Sequence, residues 1–313
     1  MLYAGTTSIF SLNYSILNNI VKIFKQWSIS AGNIYTYVCG TSETLRNETV
    51  MNKENVKSVS VHVSKHLKPL NDNQFGYYLA GLIDGDSNFS SKQQLVIVFH
   101  SSDVSLAYYI KKQIGFGTVK KVKNKNAYIL ILSSKEGIEK VINLINGKIR
   151  TNNKFSQINK NILNNNKYVE LKNVINFKLN TDNFLENHWL AGFSDADSSF
   201  QINILKRINR TEVRLNFQID QKEDYLLKLI KNYFGGNIGY RKSQNTYYYE
   251  STSAKNVINY FDKYHLLSSK HINFLKWRKA YIIVQNKDHL NEEGLNKIVK
   301  LKSTMNSAKD ITV

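Results

Sequence analysis

Residues 77–90 read YYLAGLIDGDSNFS, and residues 188–202 read HWLAGFSDADSSFQI. Each stretch carries an aromatic residue, then Leu-Ala-Gly, then two acids separated by one small residue, then Ser and, two positions on, Phe. The copies lie 111 residues apart, so the chain holds an internal duplication. The sequence downstream of each copy repeats as well. After the first, Leu95, Ile97 and Phe99 alternate with other residues, the period of a half-buried strand. A helix is predicted from Leu106 to Ile114, closed by Gly115 and Gly117, then a strand over 127–132 and a helix over 135–145. After the second copy, Leu215, Phe217 and Ile219 alternate with Arg214, Asn216 and Gln218. A helix over 225–234, a strand at Tyr247 to Tyr249 and a helix over 254–264 complete the half.

Each half therefore reads helix, strand, strand, helix, strand, strand, helix. This is an α+β fold built from two pseudo-twofold-related halves, over 71–155 and 185–313. The stretch 156–184 is polar, with Asn159, Asn161 and Asn164 to Asn166, and reads as the linker. Residues 1–70 have no counterpart elsewhere in the chain, and two readings stay open for them: partial disorder, or packing as an N-terminal extension.

Composition narrows the partner. The 313 residues carry 43 Lys and Arg against 24 Asp and Glu, a formal net charge of +19. All of the segments above are net positive, so the charge is not confined to a tail. A spread of this kind favours a polyanion held along much of the fold, nucleic acid or an anionic membrane surface. No apolar run reaches the roughly 18 residues of a membrane span. The lone cysteine, Cys39, excludes an intramolecular disulfide and a cysteine-rich zinc site. The histidines lack a local metal-binding spacing, and His100, His188 and His271 read as packing or polar surface residues. Abundant Lys, Asn, Ile and Tyr use A/T-rich codons, which points to an organellar genome.

The repeated motif begins as a helix. Asn183 with Glu186 suits a capping box, and Asp72 or Asn73 suits the cap of the first copy. Gly81 and Gly85 are four apart, as are Gly192 and Ala196, a spacing of small residues that lets two helices approach closely. Two such helices, one per half, pack on a local twofold axis. Asp84, Asp86, Asp195 and Asp197 then fall at the helix ends, where the dipole disfavours negative charge. Four acids at one point call for a cation, and an all-oxygen site suits Mg²⁺.

Leu79-Ala80-Gly81-Leu82-Ile83-Asp84-Gly85-Asp86 closely resembles the motif that names the LAGLIDADG homing endonucleases, and Leu190 to Asp197 is a looser second copy. The length and duplication are similar to those of single-chain, group I intron-encoded members from fungal mitochondria. The resemblance implies a monomeric, metal-dependent DNA endonuclease that promotes intron mobility, with each half's strands forming a saddle in the DNA major groove. It implies that Asp86 and Asp197 hold Mg²⁺, or Mn²⁺ as a substitute, with help from the carbonyls of Gly85 and Ala196. It places Lys270 and Lys154 as basic residues that polarise the site, and Gln221 as a positioner of water, with Ser101 as its counterpart in the first half. The family motif ends in Gly where Ser87 and Ser198 stand here, a departure expected to attenuate cleavage if that turn needs positive φ.

If Leu215, Phe217 and Ile219 face the core, then Arg214, Asn216 and Gln218 face outward, with Gln201 and Asn203 on the neighbouring strand. These are side chains that pair with base edges. Arg207, Arg210, Arg241, Lys242, Lys120, Lys121, Lys123 and Lys125 suit the DNA backbone. The tyrosines at 247–249 read as sheet packing. Two alternatives use the same fold. One is an RNA-binding maturase that folds its group I intron; the other is a DNA-binding regulator without catalysis, which the presence of both acids disfavours.

Overall fold

The computed structural model describes residues 58–305 apart from Asn209; the side chain of Arg210 also lies outside the described residues. All of these belong to the larger of two units, Gly40–Val313. Expectations for residues 1–57 fall outside the described residues.

Helix α1 spans Asp72–Asp86. Its cap is Asn71, one residue earlier than expected: the Asn71 side chain accepts from the Gln74 amide, while Gln74 Oε1 accepts from the Leu70 amide. Strands β1 (Ser87–Phe89) and β2 (Leu95–His100) come next, then α2 (Val104–Ile114), β3 (Thr118–Lys121), β4 (Ala127–Leu132) and α3 (Lys135–Ile145). The sheet order is β1-β2-β4-β3, all antiparallel. Leu95, Ile97, Phe99, Leu130 and Leu132 point inward and share the core with Leu106, Ile110 and Ile114 of α2, which packs on β2 and β4.

The second half repeats this plan. Helix α6 spans Trp189–Asp197, β5 Ser198–Arg207, β6 Arg210–Gln221, α7 Tyr225–Phe234, β7 Asn237–Arg241, β8 Thr246–Glu250 and α8 Ala254–Phe261. Its sheet order is β5-β6-β8-β7. The expected α+β duplication is the observed one. Tyr249 is fully buried and Tyr247 half-buried, as sheet packing requires. The Asn183–Glu186 capping box does not form. Helix α6 starts later, with the Asn187 side chain accepting from the Trp189 amide, and Glu186 pairs instead with Lys263 at 3.3 Å.

Two regions hold structure that their sequence did not specify. The polar stretch after α3, expected to link the halves, is itself folded. It forms α4 (Asn152–Ile158), a π turn at Asn159–Leu163 and α5 (Val169–Val174), and it buries Ile158, Ile162, Leu163, Tyr168 and Leu171. Its asparagines masked an apolar period. Gln157 accepts from the Phe89 amide and Asn161 donates to the Phe89 carbonyl, so two side chains occupy the free edge of the short strand β1. The C-terminal part of the extension, residues 58–70, is a strap across the second half. Val59 exchanges hydrogen bonds with Gln285, Ser64 donates to the Asp262 carbonyl, and Arg278 donates to the His62 carbonyl. Gln285 and Arg278 lie on α9 (Lys270–Gln285), which packs on β5 and under the final helix α10 (Glu292–Ser303). Among the described residues, no helix is long and apolar enough to cross a membrane.

Candidate active site at the helix pair

Helices α1 and α6 meet backbone to backbone. A Cβ on Gly81 would run into the Trp189 carbonyl, and one on Gly192 would run into the Tyr78 carbonyl. Any larger residue at either position forces the helices apart. One step toward the C-terminal ends, Gly85 faces the Ala196 methyl, and its Cβ direction points to Asp197 Oδ2 at 3.2 Å. The small residues therefore do what their spacing implied, and they bring the two acid-bearing ends together.

The four acids do not converge. Residues two apart on a helix differ in direction by about 200°, so each motif sends its acids to opposite sides. Asp84 and Asp195 turn into the protein and are 5% and 7% exposed. Asp84 accepts from the Arg150 amide at 2.9 Å, the Thr151 amide at 3.1 Å, the Thr151 hydroxyl at 2.5 Å and the Trp189 indole N–H at 2.8 Å. Asp195 accepts from the Leu267 amide at 2.7 Å, the Ser268 amide at 3.3 Å, the Ser268 hydroxyl at 2.5 Å and the Tyr78 hydroxyl at 2.6 Å. The two sets match group for group: two backbone amides, one hydroxyl and one aromatic donor that comes from the opposite helix. Burial pushes both carboxyls up, and these donors oppose it. Sequence reasoning missed this role, although the helical period between 84 and 86 carried it.

Asp86 and Asp197 remain at the shared end. Burial raises Asp86 to about 6, and the charge of Asp197 pushes the same way; Lys270 and Lys154 oppose both. Burial also raises Asp197, against hydrogen bonding from Gln221 and the same two lysines. Lys270 donates to the carbonyls of Ala196 at 2.6 Å and Ser194 at 3.1 Å. Lys154 donates to the Ser87 carbonyl. Burial lowers both lysines, and the acids of the site pull them back up. The loops that cradle Asp84 and Asp195 also deliver these lysines, since Thr151 is three residues before Lys154 and Ser268 two before Lys270. The acid pair, both lysines and Gln221 thus meet in one place.

Gln221 donates to Asp197 Oδ2 at 2.7 Å. Its expected counterpart Ser101 is a misassignment. Ser87 pairs with Ile97, and Ser198 pairs with Ile219. Two residues further along each strand stand Phe99 and Gln221, so Phe99 is the counterpart, and it is 4% exposed. Ser101 lies beyond β2 in a 3-10 turn. Among the described residues, no side chain donates to Asp86 as Gln221 does to Asp197.

Ser87 and Ser198 do not distort their turns. Both take extended backbone, with φ of −131° and −102°, where glycine's freedom is not needed. Their hydroxyls close the helices by donating to the carbonyls of Ile83 and Ser194, each at 2.8 Å. The ground for expecting attenuation is absent.

The outer face of the second sheet carries most of the expected base readers. Cross-strand pairs Gln201–Asn216 and Asn203–Arg214 lie side by side and half-exposed. Gln218 departs from expectation: it is 8% exposed, with its amide donating to both Asp220 oxygens and its carbonyl accepting from Gln201. Asp220 also receives Arg241 at 2.6 Å, and Arg241 lies over the Tyr248 ring. Gln218 thus acts within a network that fixes its neighbours. Arg214 is held by Glu212 at 2.7 Å, and Arg207 approaches the same carboxylate at 3.7 Å. Lys120, Lys121, Lys123, Lys125 and Lys242 are exposed, on β3 or in the loops at the far strand ends.

An all-oxygen set suits a hard divalent cation. The charge of Asp197 raises the proton affinity of Asp86, and the Ala196 carbonyl faces the lysine beside them. The residues present therefore fit such an ion.

The chain is similar to known proteins in sequence and in fold. The chain is 60% identical, over 96% of its length and 95% of the other's, to an uncharacterized cox1 intron-2 protein of Schizosaccharomyces pombe. It is 32% identical to the intron-encoded DNA endonuclease aI3 of Saccharomyces cerevisiae, over 69% of this chain and 65% of that one. In fold it is similar to I-SmaMI bound to an uncleaved DNA target in the presence of calcium ions, with 25% identity, a TM-score of 0.56, and coverage of 77% of this chain and 99% of that chain. The sequence profile of the LAGLIDADG endonuclease family matches residues 79–163 and 190–281, and the chain belongs to that family.

Proposed function

We propose that this protein is a homing endonuclease, which hydrolyses one phosphodiester on each strand of a long duplex target with Mg²⁺ at Asp86 and Asp197. One observation carries the reading: of four motif acids, only these two meet at the junction of the halves, between two lysines. Asp86, Asp197 and the carbonyls of Gly85 and Ala196 would hold the ion. A divalent ion at such a site lowers the pKa of water and neutralises charge that builds on phosphate oxygens. In the hydrolysis, water oxygen bonds to phosphorus and gives up a proton, the bond to one deoxyribose oxygen breaks, and that oxygen takes up a proton.

The residues of the chain do the rest. Gln221 fixes the orientation of Asp197, an arrangement that outer-shell partners supply at ion-binding carboxylates. Lys270 and Lys154 place positive charge where the pentavalent phosphate gathers negative charge. The outer sheet faces and the +19 net charge hold the duplex. The likeness to an intron-encoded DNA endonuclease supports this substrate. The cox1 intron relative supports a mitochondrial site of action and a target spanning the exon junction that lacks the intron.

The test uses full-length protein, Mg²⁺ and a duplex carrying that fused junction, with each strand labelled. Wild type should cut both strands. Asp86→Asn with Asp197→Asn should lose more than ~100-fold in cutting, since loss of even an outer-shell partner costs about 10–100-fold, while duplex affinity in Ca²⁺ stays within about threefold. Wild-type cutting by the double variant overturns the proposal.

A further inference from the structure

Away from the carboxylates, the strap brings a third histidine to a pair on the second half. His66 lies on the strap, His265 midway along the loop between α8 and α9, and His271 in the first turn of α9. The ring centroids are 4.2 Å apart for His66 and His271, 5.3 Å for His66 and His265, and 5.8 Å for His265 and His271. One ring nitrogen from each lies within 4.8 Å of the others.

The hydrogen bonding is incomplete in a specific way. His265 is 4% exposed, and the Nδ1 atoms of His265 and His271 are buried with no partner. Buried polar atoms are nearly always satisfied, so two orphans in one cluster call for a ligand. His66 Nε2 lies 2.8 Å from the Leu266 carbonyl. A carbonyl only accepts, so Nε2 carries the hydrogen and Nδ1 is left with the lone pair. That is the arrangement by which metal-binding imidazoles are oriented, one nitrogen donating to a carbonyl and the other free. Burial, and then the neighbouring rings, hold His265 and His271 below the ordinary histidine range, so they stay in the neutral form that ligates.

We propose that His66, His265 and His271 form a structural site for a borderline transition-metal cation of the Zn²⁺ class. Three imidazoles with no carboxylate in the set select this class over Mg²⁺ or Ca²⁺. A tetrahedral ion with bonds of about 2.0–2.1 Å needs nitrogens roughly 3.3 Å apart, so the cluster closes by an ångström or so on binding. His66 is exposed, which leaves the fourth position to water. The ion would staple the strap to the loop whose Leu267 and Ser268 amides hold Asp195 and whose Lys270 reaches Ala196. It is a second site, separate in residues and in donor chemistry from the oxygen site of the acid pair.

Untagged full-length protein in excess Mg²⁺ is gel-filtered after exposure to Zn²⁺, and metal content and melting temperature are measured. One Zn²⁺ per chain should be retained, with Tm raised by roughly 5–10 °C at about 100 times the dissociation constant. Co²⁺ should give the visible absorption of a four-coordinate nitrogen site. His66→Ala removes an exposed side chain and should melt like wild type without Zn²⁺ while losing all three responses; His66→Cys should restore them. The Asp86→Asn, Asp197→Asn double variant should respond like wild type, which assigns the ion to the histidines. No Zn²⁺-dependent rise in wild type, or an equal rise in His66→Ala, overturns the proposal.

Discussion

The outer faces of the two sheets arise from the same repeat and carry different chemistry. In the first half Val96, Val98, Ile129 and Ile131 form an apolar centre on the face pointing away from the helices, among Asn88, His100, Thr118 and Lys120, and Val98 is 50% exposed. In the second half the corresponding face presents Gln201, Asn203, Arg214, Asn216 and Asp220. The strands differ too: β1 and β2 have 3 and 6 residues, β5 and β6 have 10 and 12. Around the acids, by contrast, the halves agree nearly group for group. The junction keeps its symmetry because each half completes the other, so a change on one side is felt on both. The outer faces meet only an external partner and are free to diverge. Apolar side chains read thymine methyls and groove shape, whereas amides and guanidinium groups read hydrogen-bonding edges.

The sharpest test of this inequality lies where it reaches the acids. Gln221→Leu gives the second half an apolar residue where the first has Phe99. It should slow cutting by about 10–100-fold on one strand only, measured by strand-resolved nicking; equal slowing of both strands would show that the halves are not served separately. Next come the faces themselves. Asn216→Ala should lose about 1–3 kcal/mol of discrimination at one base pair, read from competition between duplexes substituted position by position. Val98→Ala removes no hydrogen bond to a base edge and should lose less than about 0.5 kcal/mol of discrimination, as surface substitutions do. Equal discrimination losses from both would break the comparison.

The smallest effect concerns the residue two before each Leu-Ala-Gly, Tyr77 in one half and His188 in the other. Burial, aided by the neighbouring His265, lowers His188 to about 4 from an ordinary 6.5. The folded state therefore keeps His188 neutral while the unfolded chain takes up a proton between pH 6.5 and 4. Its contribution to stability is complete above 6.5 and is lost as the pH falls through that window. In EDTA, wild type should lose more Tm than His188→Gln between pH 7 and 5, by one to a few degrees. Identical slopes would show that His188 does not titrate in this way.

Much of this was legible in the sequence. The duplication, the strand periods at 95–99 and 215–219, and the close approach at Gly81 and Gly192 come from spacing alone. The acids were legible as a set but not in their division of labour, because Asp84 and Asp86 are one residue type and only the helical turn between them sends one into a set of donors and leaves the other at the shared end. Gln221 was identified but its counterpart was not. Strand pairing fixes that equivalence, and the loop between β1 and β2 hides it from a linear alignment. Gln218 has the alternation of a reader, yet Asp220 two residues on and Gln201 across the strand claim its amide. The three histidines could not be grouped, since 199 residues separate His66 from His265 and nothing local marks their meeting.

The crossed aromatic donors have a consequence for how the gene can be divided. Tyr78 serves the acid of the opposite helix, and Trp189 returns the contact. A fragment encoding either half alone would bury an acid short of one donor, at a cost of about 1–3 kcal/mol, besides baring the glycine face of its helix. Such fragments should be obligate companions and not freestanding modules. Chimeras that exchange halves with a relative will hold together only where the residue at 78 still suits the acid at 195, and that at 189 the acid at 84.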